Sequence, residues 1–121
     1  MNKDDDECYL IIESSDVERT SEFYKALGLN VIKGHPLGNY LVYTRFGYIT
    51  INQSESTNVT SRQVYKPILA LELTRKDIEM IIEKITVLGS RIIPLGEFLN
   101  AVGYECEDFS GGVVMLQIAI K

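Results

Sequence analysis

The chain is written twice. "SSDVERTSEFYKALGLNVIKG" (residues 14–34) and "RKDIEMIIEKITVLGSRIIPLG" (residues 75–96) follow one plan. Asp16, Val17 and Glu18 answer to Asp77, Ile78 and Glu79, and Leu27 and Gly28 answer to Leu88 and Gly89. Every one of these landmarks lies 61 residues after its counterpart, half the length of a 121-residue chain. Repetition at a fixed period means that one supersecondary unit is used twice, so the fold must be built from two similar modules.

Each half reads as the same series of elements. A strand comes first, at Cys8–Glu13 and at Ile68–Leu73. A helix follows. Ser15 with Glu18 offers a capping box for the first, and Thr74 with Asp77 offers a weaker one for the second. Ile78, Ile81, Ile82, Ile85 and Leu88 make one apolar stripe at helical spacing, and Val17, Tyr24 and Leu27 do so more sparsely. Gly28 and Gly89 stand where a left-handed residue ends a helix. Three short strands come next in each half. The first half places them at 30–33, 40–46 and 48–52, with "HPLGN" as a hairpin loop and Gly47 as a turn. The second places them at 91–94, 101–107 and 113–120, joined late by "DFSGG". The polar stretch 53–63 has little to bury and reads as the connection. The pattern is βαβββ twice over. Two helices are too few for a doubly wound sheet, so the class is α+β, with each helix covering one face of its own sheet.

Composition narrows the function classes. The formal net charge is −5, and no Lys/Arg cluster offers the basic face that a nucleic-acid reader needs. No apolar run reaches the ~18 residues of a membrane span. The acidic start, "MNKDDDECYL", is the reverse of a targeting segment, which gives a cytoplasmic expectation with Cys8 and Cys106 as reduced thiols. Their separation is no zinc spacing, and both read as core or strand residues. His35, the single histidine, falls in the "HPLGN" loop and reads as a solvated turn residue. There is no nucleophile elbow and no phosphate-binding glycine loop.

"DVERTSEFYKALGLNV" resembles the first-module signature of the vicinal oxygen chelate superfamily, the group of glyoxalase I, bleomycin-resistance proteins, fosfomycin-resistance enzymes and extradiol dioxygenases. "DFSGGVVMLQ" stands where that family reads Asp-Pro-Asp-Gly-Asn, two apolar residues, Glu, Leu. The resemblance runs from about residue 8 to 119. It implies a single domain of two modules, about 8–53 and about 67–120, joined by a linker of about 54–66, with a curved mixed sheet around a cleft. It also implies pairing as a homodimer.

Metal-dependent members present His, Glu or Gln from strands of both modules. Carried over by position, those places fall on Tyr9, on Thr50 or Ile51, on Ala70 and on Met115. None is a ligand for a divalent first-row metal. The resemblance therefore implies no metal and no cofactor, and a cleft that binds a small organic ligand. Strand alternation puts Tyr9, Ile11 and Glu13 on one face, away from the helix, and Ala70 and Glu72 likewise. With Met115, Gln117, Tyr104 and tyrosines of "NYLVYTRFGY", these make the expected ligand-binding set: Tyr9, Ile11, Glu13, Glu72, Tyr104, Met115 and Gln117. Aromatic walls with carboxylates suit flat or cationic molecules. Two alternatives stand beside this reading. One is a lyase, isomerase or dioxygenase-type enzyme with displaced metal ligands, or with Glu13 or Glu72 as base. The other is an interaction module whose cleft is filled by its own side chains. The strand 101–107 leaves open which alternate set, Val102/Tyr104/Cys106 or Gly103/Glu105/Glu107, faces the cleft.

Overall fold

A computed structural model describes residues 8–34, 39–45, 47–54, 66–98 and 101–119. The expected loop 35–38 with His35, and most of the expected linker, lie outside the described residues. The chain divides into two compact units, residues 1–57 and 58–121.

In the first unit, β1 (Cys8–Ser14) leads to α1 (Val17–Ala26), then to β2 (Asn30–Lys33), β3 (Tyr40–Thr44) and β4 (Gly47–Gln53). The sheet order is β1-β4-β3-β2. β1 runs parallel to β4, and the other neighbours are antiparallel. α1 starts one residue later than the sequence pattern suggests. The Ser14 hydroxyl accepts from Asp16 N–H (3.0 Å) and pairs with Thr20 Oγ1 (2.8 Å). That holds the chain so that Asp16, not Ser15, is the cap, accepting from Arg19 N–H at 3.1 Å. At the other end Gly28 takes a φ of +91°, as a helix stop requires. The helix buries Thr20, Phe23, Tyr24 and Leu27. Phe23 and Tyr24, both fully buried, meet edge to face with centroids 5.2 Å apart. Their sheet partners are the buried residues of one alternation: Ile12, Tyr40, Val42, Ile49 and Ile51. Each such side chain contributes about 1.5–3 kcal/mol when removed from water. The Tyr40 hydroxyl donates to Glu18 on α1 at 3.2 Å, which ties this sheet face to the helix.

The second unit repeats the plan with β5 (Lys66–Glu72), α2 (Arg75–Leu88), β6 (Ile92–Phe98), β7 (Ala101–Glu107) and β8 (Gly112–Ala119). Its order is β5-β8-β7-β6, again with the first strand parallel to the last. Thr74 caps α2 as expected, accepting from Asp77 N–H at 3.1 Å, and Gly89 ends it at φ +95°. Ile78, Ile81 and Ile85 are buried; Ile82 and Leu88 are half-buried. They match the buried alternation of β8, namely Val114, Leu116 and Ile118, with Cys106 opposite Val114.

The two copies differ in one respect that sequence landmarks hide. α2 has 14 residues and α1 has 10. The Asp16 and Asp77 steps are therefore not equivalent: Asp16 is a cap, whereas Asp77 lies inside the first turn of α2. β6 also outruns the expected end at Pro94. It is an edge strand, and the register shifts between Pro94 and Gly96, so the missing proline N–H and the extra residue are absorbed there. Gly47, expected as a turn, instead begins β4.

Candidate functional site

In each unit one sheet face is covered by its helix, and pair register shows which residues share the other face. In the first unit that face carries three rows across the strands. Ile11 lies opposite Thr50, Thr50 opposite Leu41, and Leu41 opposite Ile32. On one side of this row runs Tyr9–Tyr48–Tyr43–Asn30, and on the other Glu13 lies opposite Asn52. For Tyr9 the description extends only to backbone register. The Tyr43 and Tyr48 rings meet edge on, with centroids 6.3 Å apart. Of the hairpin tyrosines, these two belong to this face, while Tyr40 belongs to the helix side. Glu13 is exposed, and Ile11 is 56% exposed. Leu41 and Thr50, in the middle of the central row, are buried.

In the second unit the face away from α2 carries Ala70–Met115–Glu105–Ile93 as one row and Glu72–Gln117–Gly103–Gly96 as the next. Leu95, at the β6 irregularity, reaches over Gly103: a Cβ added to that glycine would meet Leu95 Cδ1 at 3.6 Å. Met115 and Gln117 are half-buried and Glu72 is exposed. Tyr104 is the one expected site residue that the register moves elsewhere. It lies opposite Leu116, in the alternation of Val114 and Cys106 that packs beneath α2, and so not on the Met115–Gln117 face. Glu105 takes the place assigned to it, directly opposite Met115. The missed signal was Cys106: a small thiol with the highest tendency to be buried fixes the parity of β7, and its neighbour Glu105 must then face the other way.

The two faces repeat one another. Glu13 opposite Asn52 in the first unit answers to Glu72 opposite Gln117 in the second. In both, a carboxylate on the first strand stands beside a carboxamide on the last. One step back along the strands, Ile11 opposite Thr50 answers to Ala70 opposite Met115. By register the first-strand position equivalent to Ala70 is thus Ile11, rather than Tyr9.

Thr50, Ala70 and Met115 are among the places to which the resemblance carries the ligands of metal-dependent members, and Ile11 stands in register where Tyr9 was expected. Ile, Thr, Ala and Met supply no imidazole and no carboxylate, so the donor set does not fit a divalent first-row ion. Among the described residues no group of three or more His, Cys, Asp or Glu could hold a metal ion.

Behind the second face, Cys106 is fully buried, and its thiol is pushed up to about 12, by burial first and by the charge of Glu105 second. It is protonated at neutral pH, with no thiolate to serve as nucleophile or ligand. The turn before β8 is held by a buried carboxylate. Asp108 Oδ1 accepts from Ser110 N–H (2.8 Å), Ser110 O–H (2.7 Å) and Gly112 N–H (2.9 Å). The sole non-glycine residue with positive φ among those described, Phe109 at 74°, lies within this turn. The "DFSGG" stretch is therefore a structural lock that fixes where Met115 and Gln117 stand. Among the described residues, no helix is long and apolar enough to cross a membrane.

No protein-family model and no curated protein sequence matches the chain. Solved structures do. A fosfomycin resistance protein, FosX, from Mesorhizobium loti superposes with a TM-score of 0.71 at 14% identity, over 95% of this chain and 92% of that one. FosX from Listeria monocytogenes, solved with Mn(II) and sulfate, gives 0.67 at 17% identity, over 93% and 88%. A protein described as glyoxalase-family from Bacillus anthracis gives 0.64 at 13% identity, over 98% of both chains. Identities this low speak for the fold alone. On that ground the chain has the α+β fold of FosX and glyoxalase-family proteins, which are members of the vicinal oxygen chelate superfamily.

Proposed function

We propose that this protein binds a small organic molecule, flat or cationic, against the sheet faces left open by its helices, without a metal. The observation that carries the reading is the duplicated row. At and beside the places to which the resemblance carries the ligands of metal-dependent members, this chain has Ile11 and Thr50 in one unit and Ala70 and Met115 in the other. Beside each of these pairs stands a glutamate with a carboxamide, and in the first unit also a row of tyrosines. Tyrosine faces and carboxylates favour cations and aromatic rings. The FosX neighbours suggest an antibiotic as one candidate, but fosfomycin is an anion. The described residues of the two open faces carry Glu13, Glu72, Glu105 and Glu107, with Arg91 paired to Glu107 at 4.0 Å, so acids outnumber bases and an amine is favoured over a phosphonate. A homodimer in the cytoplasm, expected from the resemblance and the composition, is part of this proposal, and light scattering at micromolar concentration tests the assembly.

The experiment is metal analysis of protein purified without chelator, followed by a thermal-shift screen of aromatic amines, antibiotics and fosfomycin with and without Mn(II). The expected result is substoichiometric metal and a Tm that rises with amine concentration, as mass action requires for a ligand of the folded state. Stoichiometric metal, or a shift with fosfomycin that depends on Mn(II), refutes the proposal in favour of an enzyme with displaced ligands.

A further inference from the structure

We infer that Thr50 is the polar anchor of the first-unit face, donating to or accepting from a neutral hydroxyl or carbonyl group on the bound molecule. Thr50 is only 2% exposed, and its Oγ1 has no hydrogen-bond partner among the described residues. A buried hydroxyl without a partner destabilises a fold. The flanking positions of β4, Ile49 and Ile51, are branched aliphatics, and valine at position 50 would fill the strand equally well without that cost. The cross-strand neighbours Ile11 and Leu41 are aliphatic and have no hydrogen-bonding atoms in their side chains. The hydroxyl is thus set in an apolar patch that an ionised group would enter at a high desolvation cost, whereas a compact neutral group would not. Two residues on, about 7 Å along the strand, Asn52 lies opposite Glu13. The ligand that fits both has an apolar or aromatic body with a neutral hydrogen-bonding group at one end and a cation at the other. This inference rests on the proposed function and specifies the chemical class of its ligand.

The test uses tyramine and phenethylamine, which share ring and ammonium and differ only in the phenolic hydroxyl. Calorimetric titration of the full chain should show tyramine binding roughly threefold to tenfold more tightly, the worth of one net hydrogen bond. Thr50→Val should erase that preference with Tm unchanged or raised, and Thr50→Ser should keep it. Equal affinity of the wild-type chain for both amines overturns the role of Thr50 and leaves the proposed function standing. Binding of neither amine overturns this inference and removes aromatic amines from the proposed function as well. A Tm that falls by several degrees in Thr50→Val and recovers in Thr50→Ser shows the hydroxyl bonded within the fold, and also overturns it.

Discussion

Gly112 has the most restrictive surroundings of the glycines described. A methyl group on it would lie 2.6 Å from Asp108 Oδ2, 2.7 Å from Ile68 Cγ1 and 3.1 Å from Asp108 Cγ. Neither neighbour yields easily. Asp108 is fully buried and held by three hydrogen bonds on its other oxygen. Ile68 belongs to β5, the parallel neighbour of β8. Overpacking of this kind costs about 1–3 kcal/mol. Displacing the carboxylate weakens at least two hydrogen bonds, each worth about 1 kcal/mol. Gly112→Ala should therefore destabilise by about 3–4 kcal/mol. In contrast, Gly111→Ala meets open space and faces only the left-handed backbone at φ +94°, a cost of about 1–2 kcal/mol. Urea unfolding followed by circular dichroism measures both, as a fall in midpoint at constant slope. A double-mutant cycle makes the argument sharper. Asp108→Ala alone should cost about 2–4 kcal/mol, because it orphans the buried Gly112 N–H. In its presence Gly112→Ala no longer strikes the carboxylate, so the pair should cost at least about 1 kcal/mol less than the sum. Strict additivity, or a Gly112→Ala variant within about 0.5 kcal/mol of the parent, refutes the geometry of this turn.

Cys106 gives a pH signature. Its folded value of about 12 lies above the ordinary 9.0, so the unfolded state loses its proton first. The stabilisation from the neutral buried thiol is complete below pH 9 and is lost as the pH rises toward 12. Cys106→Ala should therefore have lower stability at neutral pH but a flatter decline across that window. In the parent, Ellman's reagent should modify Cys106 only at the rate of unfolding, and modification at the rate of a free thiol would contradict the burial. For α1, Asp16→Ala should cost about 1 kcal/mol and Ser15→Ala almost nothing by thermal denaturation; the reverse order would return the cap to Ser15.

The architecture was legible because repetition constrains long stretches at once. Helical spacing of isoleucines, two C-terminal glycines and runs of β-branched residues specified two βαβββ units and most strand bounds. The errors are local and each has a physical cause. Ser15 and Asp16 are both good caps, and the choice was made by Ser14 bonding Asp16 N–H and Thr20, a contact across the strand–helix junction. Pro94 looked like a strand end because the sequence does not show that β6 is an edge with an irregular register. Tyr104 was included in the expected set although the face of "VGYECED" was left open; the burial tendency of Cys106 was the available signal, and pairing with β8 puts Tyr104 in the alternation beneath α2. Thr50 was considered only as a failed ligand. Its buried, unpartnered hydroxyl depends on contacts that no local pattern encodes.

The two units hold one frame and differ in what it carries. The lock at Asp108 and Gly112 and the parallel pairing of first and last strand hold side chains in place independently of any ion. What varies is the content of two registers. At the inner one, both units have an aliphatic residue on the first strand, Ile11 or Ala70, but its partner on the last strand is Thr50 in one unit and Met115 in the other. At the next, both units keep a glutamate beside a carboxamide. Under the proposed function, the pair kept in both copies offers each unit a group for a cation or a hydrogen bond, and the pair that differs gives each unit's face its own shape. Exchanging the inner registers by Thr50→Met and Met115→Thr should therefore alter which amine binds more than how tightly amines bind as a class. A uniform loss across amines instead would mean that the inner register serves only packing.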